Sequence, residues 1–431
     1  MVVISKKKLL FFVLVFFFII NTAQSSIILD YQTEEFIKKI NNLVFSVNDY
    51  QNQIEYKVIL DDSINAYVNE NKEIYISSGL IENSSSYVAL LGVVAHEIGH
   101  LEKYHLTKRK ESLKSLSTIN ALGTLSIIAG SILSNNTDII QALAVNKVSI
   151  NNFYINFTKE QEKEADHYAV ETINNLDLPK EPLINLLNKL EKESLNKGIT
   201  EEYHKFSTHP IYKKRFDIIN KTEENLNTKI DTELENEFNF IKAKFIGYSI
   251  KNEKEIDTNF STIFANYARS IYYARSGKLK DSLKILNKLI LNNKKNFFLL
   301  ETKADILMSY GYKNEAIKFY NKVLKEYPDN NYVKLILFNN INQNSIKISN
   351  KEDFFNSNLN LLYEFPNYKI LYINYKNLCK ILGKKDWISF FEVYESKENF
   401  KKDEYLDELS KLKNKNSDKI LNKLIKMHMS F

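Results

Sequence analysis

The segment "HEIGH", residues 96–100, carries two histidines four residues apart with a glutamate next to the first. In a helix, positions i and i+4 share a face, so His96 and His100 can bind one metal ion while Glu97 lies beside it as a candidate general base. The flanking residues are apolar, and burying two imidazoles among them is costly without a partner. A helix with two ordinary, hydrogen-bonded histidines is the alternative for this motif taken alone.

A catalytic zinc site needs a third protein ligand and an open position for water. His105 is the first candidate, but Lys103 and Leu106 stand where the pattern HExxHxxGxxH has its glycine and its last histidine. In a continuous helix, His105 would lie about 140° around the axis from His100 and would point away from it. We therefore expect His105 to be an ordinary, partly exposed histidine.

The segment "EQEKEAD", residues 160–166, offers a carboxylate as the third ligand. Glu162 and Asp166 are four residues apart on one helical face, so Glu162 can bind zinc while Asp166 accepts the N–H of a ligating histidine. Glu160 and Glu164 lie on other faces, where carboxylates are normally solvated. A wholly solvated acidic helix is the alternative for this segment.

Strands and helices must position these residues, and the sequence predicts several of them. The segments "IEYKVIL", "INAYVN" and "EIYISS", within residues 54–78, are rich in β-branched and aromatic residues and predict a small sheet. Apolar residues at helical spacing place "HEIGH" inside a buried helix. A second helix is expected to begin at Thr158, with Gln161 returning the capping hydrogen bond.

The second half of the chain contains an internal repeat. Gly277 aligns with Gly311 at an offset of 34 residues, and the aligned pairs that follow are small or apolar: Ser282 with Ala316, Leu286 with Tyr320, and Leu289 with Val323. This period is typical of tetratricopeptide repeats, in which each helix pair buries its apolar face by stacking on its neighbours. We expect residues 332–431 to contain degenerate copies and a capping helix.

The N-terminal residues 1–25 have a basic patch, an apolar run at 9–20 and then small and polar residues, which is the layout of a secretory signal peptide. An uncleaved anchor is the alternative, although the apolar run is short for a bilayer span of about 20 residues. The segment 115–137 has no charged residue. It is interpreted as a buried helix or hairpin, or as a peripheral membrane contact, in preference to a true span.

The composition restricts the class of protein. With 44% hydrophobic and 26% charged residues and only 10 Gly and 5 Pro, the chain is typical of a folded, largely helical protein. The net charge of +6 is scattered rather than concentrated in a basic block, which disfavours nucleic-acid binding. Cys379 is the sole cysteine, so no intramolecular disulfide forms.

Four motifs, "INAYV", "HEIGH", "EKEAD" and "STHP", occur in this order within residues 54–220. Together they resemble the gluzincin metallopeptidases that include the HtpX proteases and the CAAX prenyl proteases. The resemblance implies a mostly α fold, in which an α+β zincin-like metallopeptidase domain with a small sheet precedes an α-solenoid of tetratricopeptide repeats. We expect the peptidase domain at 26–230 and the repeats at 231–431.

The resemblance also implies roles for individual residues. One Zn²⁺ per chain would be bound by His96, His100 and Glu162, with Glu97 as general base and Asp166 behind a ligating histidine. His209 in "STHP" would be the loop histidine near the metal, which blocks the water site or stabilises the transition state. Arg215 matches the arginine that follows this histidine, and either of the two could stabilise the oxyanion. The strand around Asn65, Ala66 and Tyr67 would pair with an extended substrate.

The function expected from these features is that of a zinc endopeptidase of the bacterial envelope, located in the periplasm, which degrades misfolded or misassembled outer-membrane or periplasmic proteins. The repeats would dock on the substrate or on the outer-membrane assembly machinery. The alternative is a repeat-based periplasmic chaperone or adaptor with little proteolytic activity. A secreted protease that acts outside the cell is a third possibility.

Overall fold

The computed structural model describes residues 26–50, 52–69, 71–103, 125–126, 159–196, 215, 218–219, 227–260, 262–340, 348–397 and 400–430. The predicted signal peptide lies outside these residues, and so do His105 and His209. The uncharged segment 115–137 also lies outside them, except for residues 125–126. Within the described part of the chain, no helix has both the length and the apolar character needed to cross a bilayer.

The described residues contain a five-stranded sheet with the order β3-β4-β2-β1-β5. β2 is parallel to β4, β3 is antiparallel to β4, β1 is antiparallel to β2, and β5 is parallel to β1. The three predicted strand segments are present as β2, β3 and β4, whereas β1 and β5 were not predicted because runs of three and two residues show no periodicity. The strands are β1 (Ser26–Ile28), β2 (Glu55–Leu60), β3 (Ala66–Val68), β4 (Glu73–Ser77) and β5 (Leu125–Ser126).

The helices of the N-terminal half are α1 (Tyr31–Ser46), α2 (Ser78–Asn83), α3 (Tyr87–Glu102), α4 (Lys159–Asn175) and α5 (Glu181–Asn196). Three of them, α1 to α3, contact this sheet, and the two further helices, α4 and α5, pack on α3. Strand alternation turns Val58, Ile74 and Ile76 towards the helices and into the main core. The spacing of the buried residues Phe36, Ile37, Ile40 and Val44 makes α1 amphipathic. This signal was present in the sequence, but α1 was not predicted.

α3 is the helix that was predicted from "HEIGH". Its N-terminus is capped by Ser86, whose side chain accepts a hydrogen bond from the Val88 amide. Nearly every residue from Tyr87 to Leu101 is buried, since α3 contacts β3, α1, α4 and α5. A helix that is apolar on all sides is expected at the centre of a domain.

The rest of the described chain is helical, which confirms the predicted fold class: a small sheet with helices, followed by a helical-repeat region. α6 (Thr232–Ser249) contacts α1, α2 and α3 on one side and the first repeat helix on the other. A 3₁₀ turn at Glu253–Glu255 follows it. The remaining helices are α7 (Ile256–Asn259), α8 (Thr262–Arg275), α9 (Leu279–Asn292), α10 (Phe298–Ser309), α11 (Lys313–Glu326), α12 (Asn331–Asn340), α13 (Ile348–Ser357), α14 (Asn360–Glu364), α15 (Lys369–Leu382), α16 (Lys385–Glu395), α17 (Lys402–Lys415) and α18 (Lys419–Met429).

The internal repeat corresponds to two helix pairs, α8 with α9 and α10 with α11. Gly277 and Gly311 lie in the two connections with φ of +77° and +82°. The residue after each glycine donates its N–H to a carbonyl five residues earlier, at 2.8 Å from Lys278 to Tyr273 and at 2.9 Å from Tyr312 to Leu307. This is the Schellman arrangement, in which a left-handed glycine ends a helix.

A buried charge pair joins the N-terminal half to the repeat region. Lys244 of α6 contacts Asp30 Oδ2 at 2.6 Å and donates to Gln32 Oε1 at 3.0 Å. Asp30 also caps α1, because its Oδ1 accepts from the Thr33 amide at 2.9 Å. The start of α1 is therefore fixed by a lysine of α6.

Two carboxylates of α10 face this pair. Glu301 accepts from Asn330 Nδ2 at 2.7 Å, and Asp305 Oδ1 accepts from the hydroxyls of Tyr320 and Tyr332 at 2.6 Å each. Burial, together with the neighbouring charges of Asp305 and Asp30, raises the pKa of Glu301 to about 8. Burial likewise raises the pKa of Asp305 to about 6.

These raised values predict that the protein loses stability as the pH rises. Because the folded state binds the Glu301 proton more tightly than the unfolded chain does, the stabilisation is fully present below the ordinary pKa of 4.5 and is lost as the pH rises through about 8. We expect the unfolding free energy to fall over this range by at most about 1.4 kcal/mol per pH unit for this group.

Thermal unfolding of Glu301→Gln across the same pH range provides the measurement, since glutamine keeps the shape and removes the titration. Its dependence on pH should be flatter than that of wild type. Glu315→Gln, at an exposed position on α11, is the control and should follow wild type. Equal slopes for Glu301→Gln and wild type would contradict the prediction.

Candidate metal centre

α3 brings three ionisable side chains of the "HEIGH" motif into the interior. His100 is 0% exposed, Glu97 is 1% exposed and His96 is 6% exposed. Because His96 and His100 are one helical turn apart, their Nε2 atoms lie 3.2 Å from each other. Two imidazole nitrogens therefore face the same point beside α3.

Gly99 allows the second helix to approach this point. A Cβ at Gly99 would lie 3.1 Å from the Ala165 Cα and 3.1 Å from the Tyr168 Cβ of α4. A side chain at this position would therefore push α3 and α4 apart by a few tenths of an ångström. The glycine of "HEIGH" and the alanine of "EKEAD" let the two helices meet, which brings Glu162 to the histidines.

The side chains of Glu162, His96 and His100 form a triangle in which each oxygen of Glu162 lies beside one histidine nitrogen. Glu162 Oε2 lies 3.5 Å from His96 Nε2, and Glu162 Oε1 lies 3.4 Å from His100 Nε2. With zinc–ligand bonds of about 2.0–2.1 Å, the edge of a tetrahedron around zinc measures about 3.3 Å. The closest separations between the three side chains are near this value, with a different oxygen of Glu162 next to each histidine. Within the described part of the chain, this is the one group of three such residues that could hold a metal ion, and one ligand atom from each lies within 4.8 Å of the others.

The charges around the triangle also fit a divalent cation. Glu97, Glu162 and Asp166 are buried carboxylates, and Arg215 is the buried guanidinium that faces them. Uncompensated negative charge is costly in the interior. Among these groups, a bound divalent cation would bring the formal charge to zero.

Asp166 lies behind the first histidine. Its Oδ1 is 3.0 Å from His96 Nδ1, so His96 donates its Nδ1–H to the carboxylate and directs the lone pair of Nε2 towards Glu162 and His100. Arg215 donates to both oxygens of Asp166, from Nε at 2.8 Å and from Nη2 at 2.7 Å. Its Nη1 lies 3.5 Å from Glu162 Oε2.

This network shifts the pKa values of Asp166 and His96. Burial alone would raise the pKa of Asp166, but the charge of Arg215 and the hydrogen bond from His96 outweigh it and hold the pKa below its usual range. For His96, burial lowers the pKa, whereas the hydrogen bonds to Asp166 and Glu162 raise it, and the net shift is upward. Asp166 thus stays ionised and can hold the proton of His96 at Nδ1.

Arg215 was assigned a catalytic role from the sequence, as a stabiliser of the oxyanion. In the structure its guanidinium forms a two-pronged hydrogen bond with Asp166 and is buried. We therefore propose that Arg215 positions Asp166 rather than contacts substrate. No local sequence pattern marks this pairing, because the two residues are 49 positions apart in the chain.

The other candidate residues occupy different places. Glu160 and Glu164 are exposed, as expected for solvated carboxylates. His209 lies outside the described residues. Asn65 precedes β3, and its carbonyl accepts from the Ser77 amide at 3.0 Å. Ala66 belongs to the main core, where its face of the sheet meets the helices.

Tyr67 points to the opposite face of the sheet. There it packs with Ile27 and Ile59 and stacks on Tyr75 at a centroid distance of 4.9 Å. Its side chain is therefore remote from the helices that carry the metal ligands. Any contribution of Tyr67 to substrate binding would come from its backbone.

An HExxH helix that receives a buried glutamate from a second helix defines a gluzincin-type metallopeptidase centre. The sequence comparison agrees with this class. Residues 30–223 match the family model of Peptidase family M48.

The chain is also similar to proteases with a longer sequence. It is 21% identical to the Beta-barrel assembly-enhancing protease of Yersinia pestis over 317 residues, which cover 70% of this chain and 64% of that protein. It is 22% identical to the Beta-barrel assembly-enhancing protease of Escherichia coli (strain K12), over 68% of this chain and 61% of that protein. A Putative beta-barrel assembly-enhancing protease of Vibrio cholerae is 24% identical, over 65% and 60% of the two chains. The chain thus spans less than two thirds of the length of these relatives.

The Asp166 network generates a prediction about metal affinity. Asp166→Asn removes the charge that holds the His96 proton at Nδ1 and leaves Arg215 with the longer contact to Glu162 as its ion pair. We expect zinc affinity to fall by about 10–100-fold. Competition with a chromophoric chelator measures this affinity.

Glu160→Gln is the matched control, because it removes a carboxylate from an exposed position of the same helix. Its zinc affinity should equal that of wild type. Equal affinities for Asp166→Asn and Glu160→Gln would mean that Asp166 does not support the metal centre.

Proposed function

We propose that this protein is a zinc-dependent endopeptidase of the bacterial envelope. The observation that carries the proposal is the buried triangle of His96, His100 and Glu162, with donor separations of 3.2–3.5 Å. Its size fits the tetrahedral coordination of zinc. The match of residues 30–223 to Peptidase family M48 supports a peptidase function.

Different residues of the centre are proposed to bind the metal, transfer the proton and stabilise the oxyanion. His96, His100 and Glu162 would hold one Zn²⁺, which supplies Lewis acidity to polarise a peptide carbonyl and to acidify a water. Glu97 takes the proton of the attacking water on its carboxylate and passes it to the leaving amine nitrogen. His209 is proposed to approach the centre from its loop, where it either restrains the reaction or stabilises the developing oxyanion.

Asp166 and Arg215 act on the ligands. Asp166 keeps the proton of His96 at Nδ1, so that Nε2 remains available to the metal. Arg215 fixes both carboxylate oxygens of Asp166 and offsets the charge of the buried carboxylates. Both residues are proposed to position the centre rather than to react.

We propose that β3 supports an extended substrate. β3 is the edge strand of the described sheet and contacts α3. A peptide that adds to such an edge is bound through its main chain, so sequence preference should be loose. Asn65, Ala66 and Tyr67 would contribute backbone groups, and the stacking of Tyr67 on Tyr75 would hold the strand in place.

We infer the cellular location and the substrates of this activity from the N-terminal residues and from the names of the relatives. The predicted signal peptide at 1–25 favours export to the periplasm, and the segment 115–137 is proposed to contact the membrane peripherally. The relatives are named for enhancing β-barrel assembly. We propose misfolded or misassembled outer-membrane or periplasmic proteins as substrates, with the helical-repeat region docking on them or on the outer-membrane assembly machinery.

Replacement of the proposed general base separates binding from catalysis. Glu97→Gln should retain about one zinc per chain and should lower cleavage of an unfolded β-barrel protein by about 10²–10⁴-fold. Zinc content by elemental analysis and cleavage rates on the purified full chain provide the two measurements.

Glu160→Gln, at an exposed position of α4, is the control and should cleave like wild type. If Glu97→Gln cleaves as fast as wild type, the general-base role is wrong. Complementation of a deletion strain by Glu97→Gln as fully as by wild type would instead support the chaperone or adaptor function.

A further inference from the structure

The turn that precedes α3 is held by α6, the helix that joins the peptidase domain to the repeats. Lys242 Nζ of α6 donates to the Ser84 carbonyl at 2.9 Å. Burial lowers the pKa of Lys242 to about 8. At the beginning of α6, the Asp231 amide donates to the hydroxyl of Tyr87 at 3.3 Å. The start of the helix with the metal ligands is thus tied to a helix outside the M48 match.

Glu235 makes the most direct of these contacts. Its Oε2 accepts from the Ser86 hydroxyl at 2.6 Å and from the Tyr87 amide at 3.2 Å. The Ser86 oxygen in turn accepts from the Val88 amide at 3.2 Å. Asn239 donates to the other oxygen, Oε1, at 3.3 Å and orients the carboxylate. The first N–H groups of a helix lack intrahelical partners and favour a negative charge, so this carboxylate stabilises the N-terminus of α3.

The C-terminal end of α6 packs closely against the first repeat helix, α8. A Cβ at Gly247 would lie 2.8 Å from the Ala268 carbonyl oxygen and 2.9 Å from the Ile271 Cβ of α8. Arg275 of α8 also donates to the Gly247 carbonyl at 3.2 Å. With backbones packed this closely, α6 cannot move independently of the first repeat helix.

The position of the N-terminus of α3 matters for the metal ligands because a helix behaves as a rod. His96 lies nine residues beyond Tyr87, or about 14 Å along the axis. A tilt of about 4° at the first turn would therefore move His96 by about 1 Å. A displacement of this size is enough to change the geometry of a catalytic centre.

We propose that Glu235 is a positioning residue for the metal centre and that, through it, the placement of the repeat region sets the geometry of His96, Glu97 and His100. This proposal rests on the proposed function, since it assumes that these residues bind a metal. A partner that shifts α8 would in this way change catalysis without touching the peptidase domain.

Glu235→Gln tests the proposal with little risk to folding, because glutamine keeps the size and loses the charge. Amide hydrogen exchange of Val88 and Ala89 should accelerate about tenfold. The visible spectrum of the Co²⁺-loaded protein, which reports coordination geometry, should shift. The kcat should fall about threefold to tenfold. The KM should not change, because the proposed substrate strand β3 is not among the contacts of Glu235.

Glu233→Gln is the matched control, because Glu233 is exposed in the same first turn of α6 and carries the same charge. It should leave the exchange rates, the Co²⁺ spectrum and kcat as in wild type. Gly247→Ala adds a methyl group that presses on α8. If the position of the repeat region affects the metal centre through α6, this variant should show the same spectral shift as Glu235→Gln.

The outcomes separate this proposal from the proposed function. If wild type binds Co²⁺ and Glu235→Gln gives the same spectrum, exchange rates and kcat as Glu233→Gln, the positioning role is overturned while the metallopeptidase function stands. If wild type binds no Co²⁺ and cleaves no substrate, the proposed function fails, and the positioning role fails with it.

Discussion

The close contact between α3 and α4 at Gly99 is the constraint on which the candidate metal centre depends. Two histidines on one helix cannot enclose a tetrahedral ion by themselves, because both approach from the same side. The third donor has to come from another helix at a distance that a side chain can bridge. Gly99 against Ala165 and Tyr168 sets that distance, and Glu162 then closes the triangle.

The charges in the interior depend on the same contact. Bringing α4 against α3 buries Glu162 and Asp166 near Glu97, a concentration of negative charge that would be costly alone. Arg215 compensates part of it and, through Asp166, determines which nitrogen of His96 carries the proton. Glu162 and Asp166 therefore belong to one network of ion pairs with the two histidines and Arg215.

α6 extends this network towards the repeats. It contacts the turn before α3 through Glu235 and Lys242, the start of α1 through Lys244, and the first repeat helix through Gly247. The predicted boundary at 230/231 assigns α6 to the repeats, yet α6 also contacts α1, α2 and α3 of the N-terminal half. The buried carboxylates of Glu301 and Asp305 in α10 interact electrostatically with Lys244 and Asp30.

The sequence by itself determined the elements and the chemical types. Periodicity predicted the buried helix, the strands β2, β3 and β4, and the repeat that aligns Gly277 with Gly311. Helical spacing selected Glu162 and Asp166 over Glu160 and Glu164. The prediction that His105 faces outward concerns a residue outside the described part of the chain. These features were readable because they depend on neighbours within one or two turns.

Only the tertiary structure decided how distant segments meet. The pairing of Arg215 with Asp166, the capping of α3 by Glu235, and the joining of α1 to α6 by Lys244 link residues that are far apart in the chain, so no local period marks them. The orientation of Tyr67 away from the helices followed from the register of β3 against β4. Contacts of this kind are set by the packing of whole elements, and a sequence pattern records only the faces that take part in it.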